Sequence, residues 1–399
     1  MRKFNYVTVL TAILLISTIG ITMFTGNKYQ SNGLNNTEPT IDEAKEDDEM
    51  RGLWVSYLSL DMSDTDRSFE SFKDKFDKIV SSAKDLKCNT LIVQVRPFCD
   101  ALYKSAYFPH SHILSGKQGE YPGYDALKYM CSKIHAEGMK LHAWINPYRV
   151  SSSGTPNELS KNNPYILNKS MGVELDSGIY LNPANDSAKE LIVAGVKEII
   201  KNYDVDGIQF DDYFYPTDSG SFDDTEFEAY RESVNNITKA MYKEQWRQSN
   251  VNLMLNEVYR EIKATDSSVV FGISPQGNIE NNYNIGADVK NWCESIGYAD
   301  YICPQMYYST NNPTLNFEVS LQNWQEFEYH NDIKVYVGLG AYKAGSDADS
   351  GTWLNTDKEL ATQLMLLRRY GYDGYMIYDY SALIKDSAQS ELKNLKSVI

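Results

Sequence analysis

Two adjacent acids, Asp211 and Asp212, end an apolar run, V-D-G-I-Q-F-D-D-Y-F-Y-P, at residues 205–216. Neighbouring carboxylates repel when both are ionised, so one keeps its proton to higher pH than the other. A pair with split proton affinities can supply a general acid together with a base or nucleophile in one site. Side chains alternate across a strand. Ile208 and Phe210 therefore share one face, and Gln209, Asp211 and Tyr213 share the other. The apolar face suits packing under helices; the polar face must line something wet. In the blander alternative the two aspartates only cap a following helix. Against it, the same polarity recurs on other strands.

That recurrence appears once the elements are laid out. Strands are predicted at 51–60, 90–97, 140–148, 205–216, 269–276, 300–308, 334–342 and 374–380. Helices are predicted at 69–87, 124–137, 187–202, 227–263 and 357–370, the fourth broken near Ser249 and Asn250. In the first helix Phe72, Phe76, Ile79, Val80 and Ala83 recur at helical spacing. Gly138 stops the second. Strands alternating with helices predict an α/β chain folded as a (β/α)8 TIM barrel, whose functional groups gather at the C-terminal ends of the strands. An open doubly wound sheet is the alternative, but no glycine-rich phosphate loop follows the first strand.

Alternation then sorts each strand. Leu91, Val93 and Val95 face the helices and leave Gln94 and Arg96 inside; Leu141, Ala143 and Ile145 leave His142, Trp144 and Asn146. The inward set at the mouth is Arg96, Trp144, Asn146, Asp211, Tyr213, Gln276, Gln305, Tyr307 and Tyr342, with Gln209 on the same face. Hydrogen-bonding groups and flat rings converging on a carboxylate predict a carbohydrate pocket. Trp144 could stack on a sugar face or fill the barrel top. Arg96 could bind a substrate carboxylate in paired bonds or form a buried ion pair. His142 and Cys303 read as polar layering. The strand at 374–380 is apolar on both faces and is left unassigned.

The chain has 399 residues and a net charge of −16, which excludes a nucleic-acid partner needing a basic face. Five widely spaced cysteines, with no C-x-x-C pair, predict neither a zinc site nor a disulfide framework. No metal and no cofactor are expected. A metal-dependent hydrolase would need histidines at strand ends, and only His142 qualifies. Arg2 and Lys3 precede an apolar run at 7–24, so residues 1–26 read as a signal peptide or signal-anchor helix. Residues 27–49 are polar and aperiodic, a flexible linker, and residues 50–399 form the barrel domain. The protein is expected at the extracellular face of the cell envelope, anchored in the membrane or secreted.

R-G-L-W-V-S, V-Q-V-R-P-F-C-D-A-L-Y-K-S, H-A-W-I-N-P-Y-R and V-D-G-I-Q-F-D-D-Y-F-Y-P together resemble glycosyl-hydrolase-like family 10, exported bacterial TIM-barrel proteins. F-G-I-S-P-Q-G-N, D-Y-I-C-P-Q-M-Y-Y and V-G-L-G-A-Y-K extend the likeness over residues 50–383. The resemblance implies hydrolysis of cell-wall glycans, with peptidoglycan strands stripped of stem peptides as the polysaccharide partner. D-G-I-Q-F-D-D-Y also has the frame of the chitinase motif D-G-x-D-x-D-x-E, in which Asp211 matches the last aspartate and Tyr213 replaces the acidic glutamate. Glycoside cleavage usually needs two carboxyl groups. The candidates are Asp211, Asp212 and, in the matching loop segment, Asp100, with Glu280 and Asp379 more distant. An N-acetyl group on the substrate could instead serve as nucleophile, bonded by Tyr307. The alternative function is a non-catalytic glycan-binding barrel in which Tyr213 marks a lost acid.

Overall fold

The computed structural model describes residues 48–234 and 237–399. The expected signal or anchor segment at 1–26 and the linker, save Asp48 and Glu49, lie outside the described residues. No helix among the described residues is long and apolar enough to cross a membrane.

The strands are β1 (Met50–Val55), β2 (Thr90–Arg96), β3 (Lys140–Ile145), β4 (Arg149–Ser152), β5 (Gly172–Leu175), β6 (Gly178–Leu181), β7 (Gly207–Phe210), β8 (Val270–Ile273), β9 (Tyr301–Ile302), β10 (Lys334–Leu339) and β11 (Gly374–Ile377). Eight of them close a parallel barrel in chain order, β1-β2-β3-β7-β8-β9-β10-β11, with β11 paired back to β1. This is the TIM-barrel architecture that the strand-helix rhythm predicts. The other three form a small antiparallel sheet, β4-β6-β5, inserted after β3. No strand was expected there; segments of four residues carry too little alternation to register.

Two cores follow from the alternation. Leu91, Val93, Leu141, Ala143, Ile208 and Phe210 point outward into the layer shared with the helices Phe69–Asp85, Ala126–Ala136 and Asp186–Asn202. Burying each large side chain there contributes about 1.5–3 kcal/mol. Ser68 and Asn185 cap two of these helices by accepting from backbone N–H groups of the first turn. Trp54, Ile92, Trp144, Tyr301, Cys303 and Met376 fill the barrel interior. Gly272 makes room for them, since a Cβ there would sit 1.8 Å from the Tyr301 ring.

The observed strands are shorter than expected, because their polar C-terminal ends leave the ladder and become the mouth. β9 is the extreme case. Pro304 has no N–H to donate, and pairing resumes only as bridges from Gln305 to Gln276 and Gly338. The expected helix at 227–263 is two helices, Asp224–Ser233 and Lys243–Thr265. The break does not fall at Ser249 and Asn250. Both are helical, because the buried stripe Trp246, Val251, Met254, Leu255, Val258 and Ile262 runs through them.

Candidate active site

Asp211 follows the last residue of β7 and is 3% exposed. Its Oδ2 accepts from Trp144 Nε1 at 3.1 Å and from Asn146 Nδ2, and its Oδ1 accepts from the Tyr213 backbone N–H at 3.4 Å. The Asn146 amide is oriented from behind. Its Oδ1 accepts from Gln94 Nε2 at 2.5 Å and Arg149 Nη2 at 3.0 Å, so its Nδ2 is the end turned to Asp211. Gln94 in turn accepts from the Tyr57 N–H at 2.9 Å. Asp212 accepts from Gln305 Nε2 at 3.1 Å, an amide that also donates to the Ser274 carbonyl at 2.9 Å.

Burial first, and then the neighbouring Asp212 charge, push the Asp211 carboxyl up to about 7, against the opposing pull of Arg149. Burial raises Asp212 as well, while bonds from Gln305 and Gln276 work the other way. Such a pair titrates as a unit and retains a proton near neutrality.

Aromatic rings wall the site. Tyr307 stacks on Tyr378 at 5.3 Å and meets Tyr342 edge-on at 5.8 Å, while Trp54 meets Tyr378 at 5.9 Å. The Arg149 guanidinium lies over Phe98 at 5.0 Å and over Tyr213 at 5.5 Å. Tyr213 is 52% and Tyr342 38% exposed, so both offer ring surface to a ligand.

Asp211, Asp212, Trp144, Asn146, Tyr213, Gln276, Gln305, Tyr307 and Tyr342 are thus brought together. Trp144 is 6% exposed, so it offers its N–H to Asp211 and little face for stacking. Three expected members stand elsewhere. Arg96 does not enter the mouth: the β2–β3 register shifts between Gln94 and Arg96. That extra residue reverses the alternation. Arg96 instead packs over Phe108 at 4.4 Å, against Gly195 of the helix Asp186–Asn202. Gln209 is fully buried one layer down, about 6.6 Å along the strand, where it accepts from Trp54 Nε1 at 2.6 Å and donates to the Tyr301 hydroxyl at 3.3 Å. Asp100 has no exposed surface; its Oδ2 is engaged by His112 Nδ1 at 3.1 Å and Gln118 Nε2 at 3.0 Å, so it braces a loop and cannot touch a ligand.

Of the more distant acids, Asp379 is buried and accepts from Ser56 and Ser381, and Glu280 is exposed on a short helix. His142 is buried in the interior beside the Tyr301 hydroxyl at 2.9 Å, and burial lowers it to about 4. Among the described residues no cluster of three His, Cys, Asp or Glu could hold a metal. Sequence reasoning missed Arg149 and Tyr378. Arg149 lies three residues beyond Asn146 within H-A-W-I-N-P-Y-R, past the proline at which the strand period is lost.

The profile of the family described as Glycosyl hydrolase-like 10 matches residues 49–354. Glycosyl hydrolase YngK of Bacillus subtilis (strain 168) is 31% identical over 380 residues, 90% of this chain and 71% of that protein. Glycosyl hydrolase DigH of Escherichia coli (strain K12) is 32% identical over 331 residues, 74% of each. The glycoside hydrolase domain of PgaB (BpsB) from Bordetella bronchiseptica superposes with a TM-score of 0.59 at 13% identity, covering 88% of this chain and 98% of that one. Alpha-L-fucosidase isoenzyme 2 from Paenibacillus thiaminolyticus gives 0.53 at 13% identity, covering 87% and 48%. At such identities the structural likeness speaks for the barrel alone.

Proposed function

Because the chain belongs to glycosyl hydrolase-like family 10, we propose that it is a glycoside hydrolase. Its substrates are cell-wall glycan strands, peptidoglycan stripped of stem peptides among them, met at the extracellular face of the envelope. The observation that carries this reading is the proton-holding pair Asp211–Asp212 beneath a mouth walled by Tyr213, Tyr307, Tyr342 and Tyr378.

The two acids have different roles. Asp211 is buried and takes three donors on its two oxygens, so it is the fixed, orienting carboxylate. Asp212 is the more exposed and can reach the leaving oxygen, so it is the acid. The acids expected farther round the mouth are unsuited to act as nucleophile: Asp100 and Asp379 are buried and engaged. The chitinase-like frame of D-G-I-Q-F-D-D-Y supports the acetamido oxygen of an N-acetylated sugar as the nucleophile in this reading. It attacks the anomeric carbon as the bond to the leaving oxygen breaks and Asp212 protonates that oxygen. Asp211 holds the acetamido N–H, and Tyr307 lies within the same wall. Water then opens the ring intermediate, returning a proton to Asp212. Equal cleavage of glycans lacking N-acetyl groups would sink this route.

The glycosidase reading is tested by incubating the full chain with peptidoglycan strands, with and without stem peptides, and analysing products by mass spectrometry beside Asp211→Asn. Sugar fragments from the wild type alone are expected. Strands bound but uncut by either protein would favour the binding barrel, the reading that Tyr213 in the acid position supports.

A further inference from the structure

Arg149 carries a charge at this mouth that no carboxylate among the described residues pairs with. Arg247 is bonded to Asp223 at 2.7 Å and Arg368 to Glu49 at 2.8 Å, whereas the partners of Arg149 are both neutral. Its Nε donates to the Pro97 carbonyl at 2.7 Å and its Nη2 to Asn146 Oδ1 at 3.0 Å. The rings of Phe98 and Tyr213 lie against the guanidinium. A guanidinium has five N–H donors in one plane. Two are used, one on Nε and one on Nη2, and the Nη1 donors make no hydrogen bond among the described residues. The residue is only partly buried, and Asp211 and Asp212 feel its charge without pairing to it.

A planar cation of this kind, held by aromatic contacts and two fixed bonds, matches a carboxylate better than a hydroxyl. We propose that Arg149 receives a carboxylate carried by a substrate sugar next to the cleaved bond, so that the site selects an acidic glycan. This deepens the proposed function and rests on it only for the identity of the polymer. In peptidoglycan the matching group is the lactyl carboxylate of the muramic unit. A stem peptide converts that group to an amide and removes its charge. One contact would then set both the sugar and the preference for strands without peptides. A uronic acid presents the same chemistry on a different ring position.

The test is calorimetric binding of the full chain to three ligands at one salt concentration, about 0.15 M, where long-range repulsion is screened and the direct contact is not. They are stripped peptidoglycan strands, the same strands with their carboxyls converted to methylamides, and a uronic-acid oligomer. The wild type is expected to bind the free-acid strands on the order of tenfold more tightly than the amidated ones. Arg149→Gln should bind the two alike, and Arg149→Lys should keep part of the difference. Equal affinity of the wild type for both forms, binding of neither, or a preference that survives in Arg149→Gln overturns the proposal. If Arg149→Gln does not fold, the wild-type comparison decides alone. Tighter binding of the uronic-acid oligomer than of the strands would keep the carboxylate and replace its source. Fragmentation is scored separately. Selective binding without cleavage removes the glycosidase reading and leaves Arg149 its role; equal cleavage and equal binding of both strand forms do the reverse.

Discussion

At the scale of single residues, what separates Asp211 from Asp212 is access. Asp211 is held by Trp144, Asn146 and the Tyr213 N–H, while Asp212 is the more open acid. Removing a general acid costs about 100- to 10,000-fold in rate, but less when the leaving group needs no proton. Asp212→Asn is therefore expected to lose activity on natural strands and recover much of it on an aryl glycoside, whereas Asp211→Asn recovers little; steady-state kinetics on both substrates decides. The pH dependence follows from the raised pair. Burial raises the Asp212 carboxyl, and the acid must hold its proton, so kcat should fall as pH rises out of the range in which Asp212 keeps it. Stability has the same sign. Carboxyls raised by folding bind more protons in the folded state, so the fold loses stability as pH climbs from the ordinary carboxylate range toward neutrality. Asp212→Asn relieves the repulsion, so calorimetry should find its Tm above the wild type at pH 8 and not at pH 4. Strand alternation was enough to find Asp211, Trp144 and Asn146. It misplaced Arg96 because a register shift in β2 reverses the faces, an event that depends on the partner strand and leaves no mark in the local pattern.

At the scale of elements, the aromatic wall depends on a clamp between the loops after β9 and β10. Asp349 accepts from the Ser309 N–H at 2.8 Å, Lys343 Nζ at 2.7 Å and Trp353 Nε1 at 3.0 Å. Lys343 Nζ also donates to the Tyr307 carbonyl at 2.5 Å, and its neighbour in sequence, Tyr342, touches Tyr307. Asp349 and Ser350 have φ of 53° and 62°, a left-handed conformation that side chains adopt only when the surroundings impose it. Asp349→Ala is expected to loosen the wall without altering the acid pair. A lost charged bond costs the fold about 1.5–3 kcal/mol, so Tm should fall, and the loosened wall should raise KM roughly tenfold, about 1.4 kcal/mol, with kcat little changed. An equal loss in kcat would place Asp349 in the chemistry instead. The eight barrel strands were legible as apolar runs at regular places between helices, most of them with alternating faces and the last, at 374–380, apolar on both. The sheet β4-β6-β5, which brings Arg149 to the mouth, was not legible, since its strands are short and partly exposed.

At the scale of the molecule, 54 acidic against 38 basic residues give a net charge of −16, which repels the acidic strands that Arg149 is proposed to bind. The two effects act over different distances. The net field extends over the Debye length, roughly 30 Å at 0.01 M salt and 8 Å at 0.15 M. The Arg149 contact is a direct bond in a partly buried site, where screening is weak. Raising salt over that range should therefore remove the long-range repulsion first and leave the contact largely intact. For free-acid strands kcat/KM is expected to rise several-fold between about 0.01 and 0.15 M salt, as steered association does when like charges are screened, and to decline toward 1 M as the contact itself weakens. For amidated strands, which carry neither the repelled nor the recognised charge, the profile should be flat. A steady fall from the lowest salt on free-acid strands would mean that the local potential of the mouth outweighs the charge of the whole chain. Arg149 would then act as a steering group as well as a binding one.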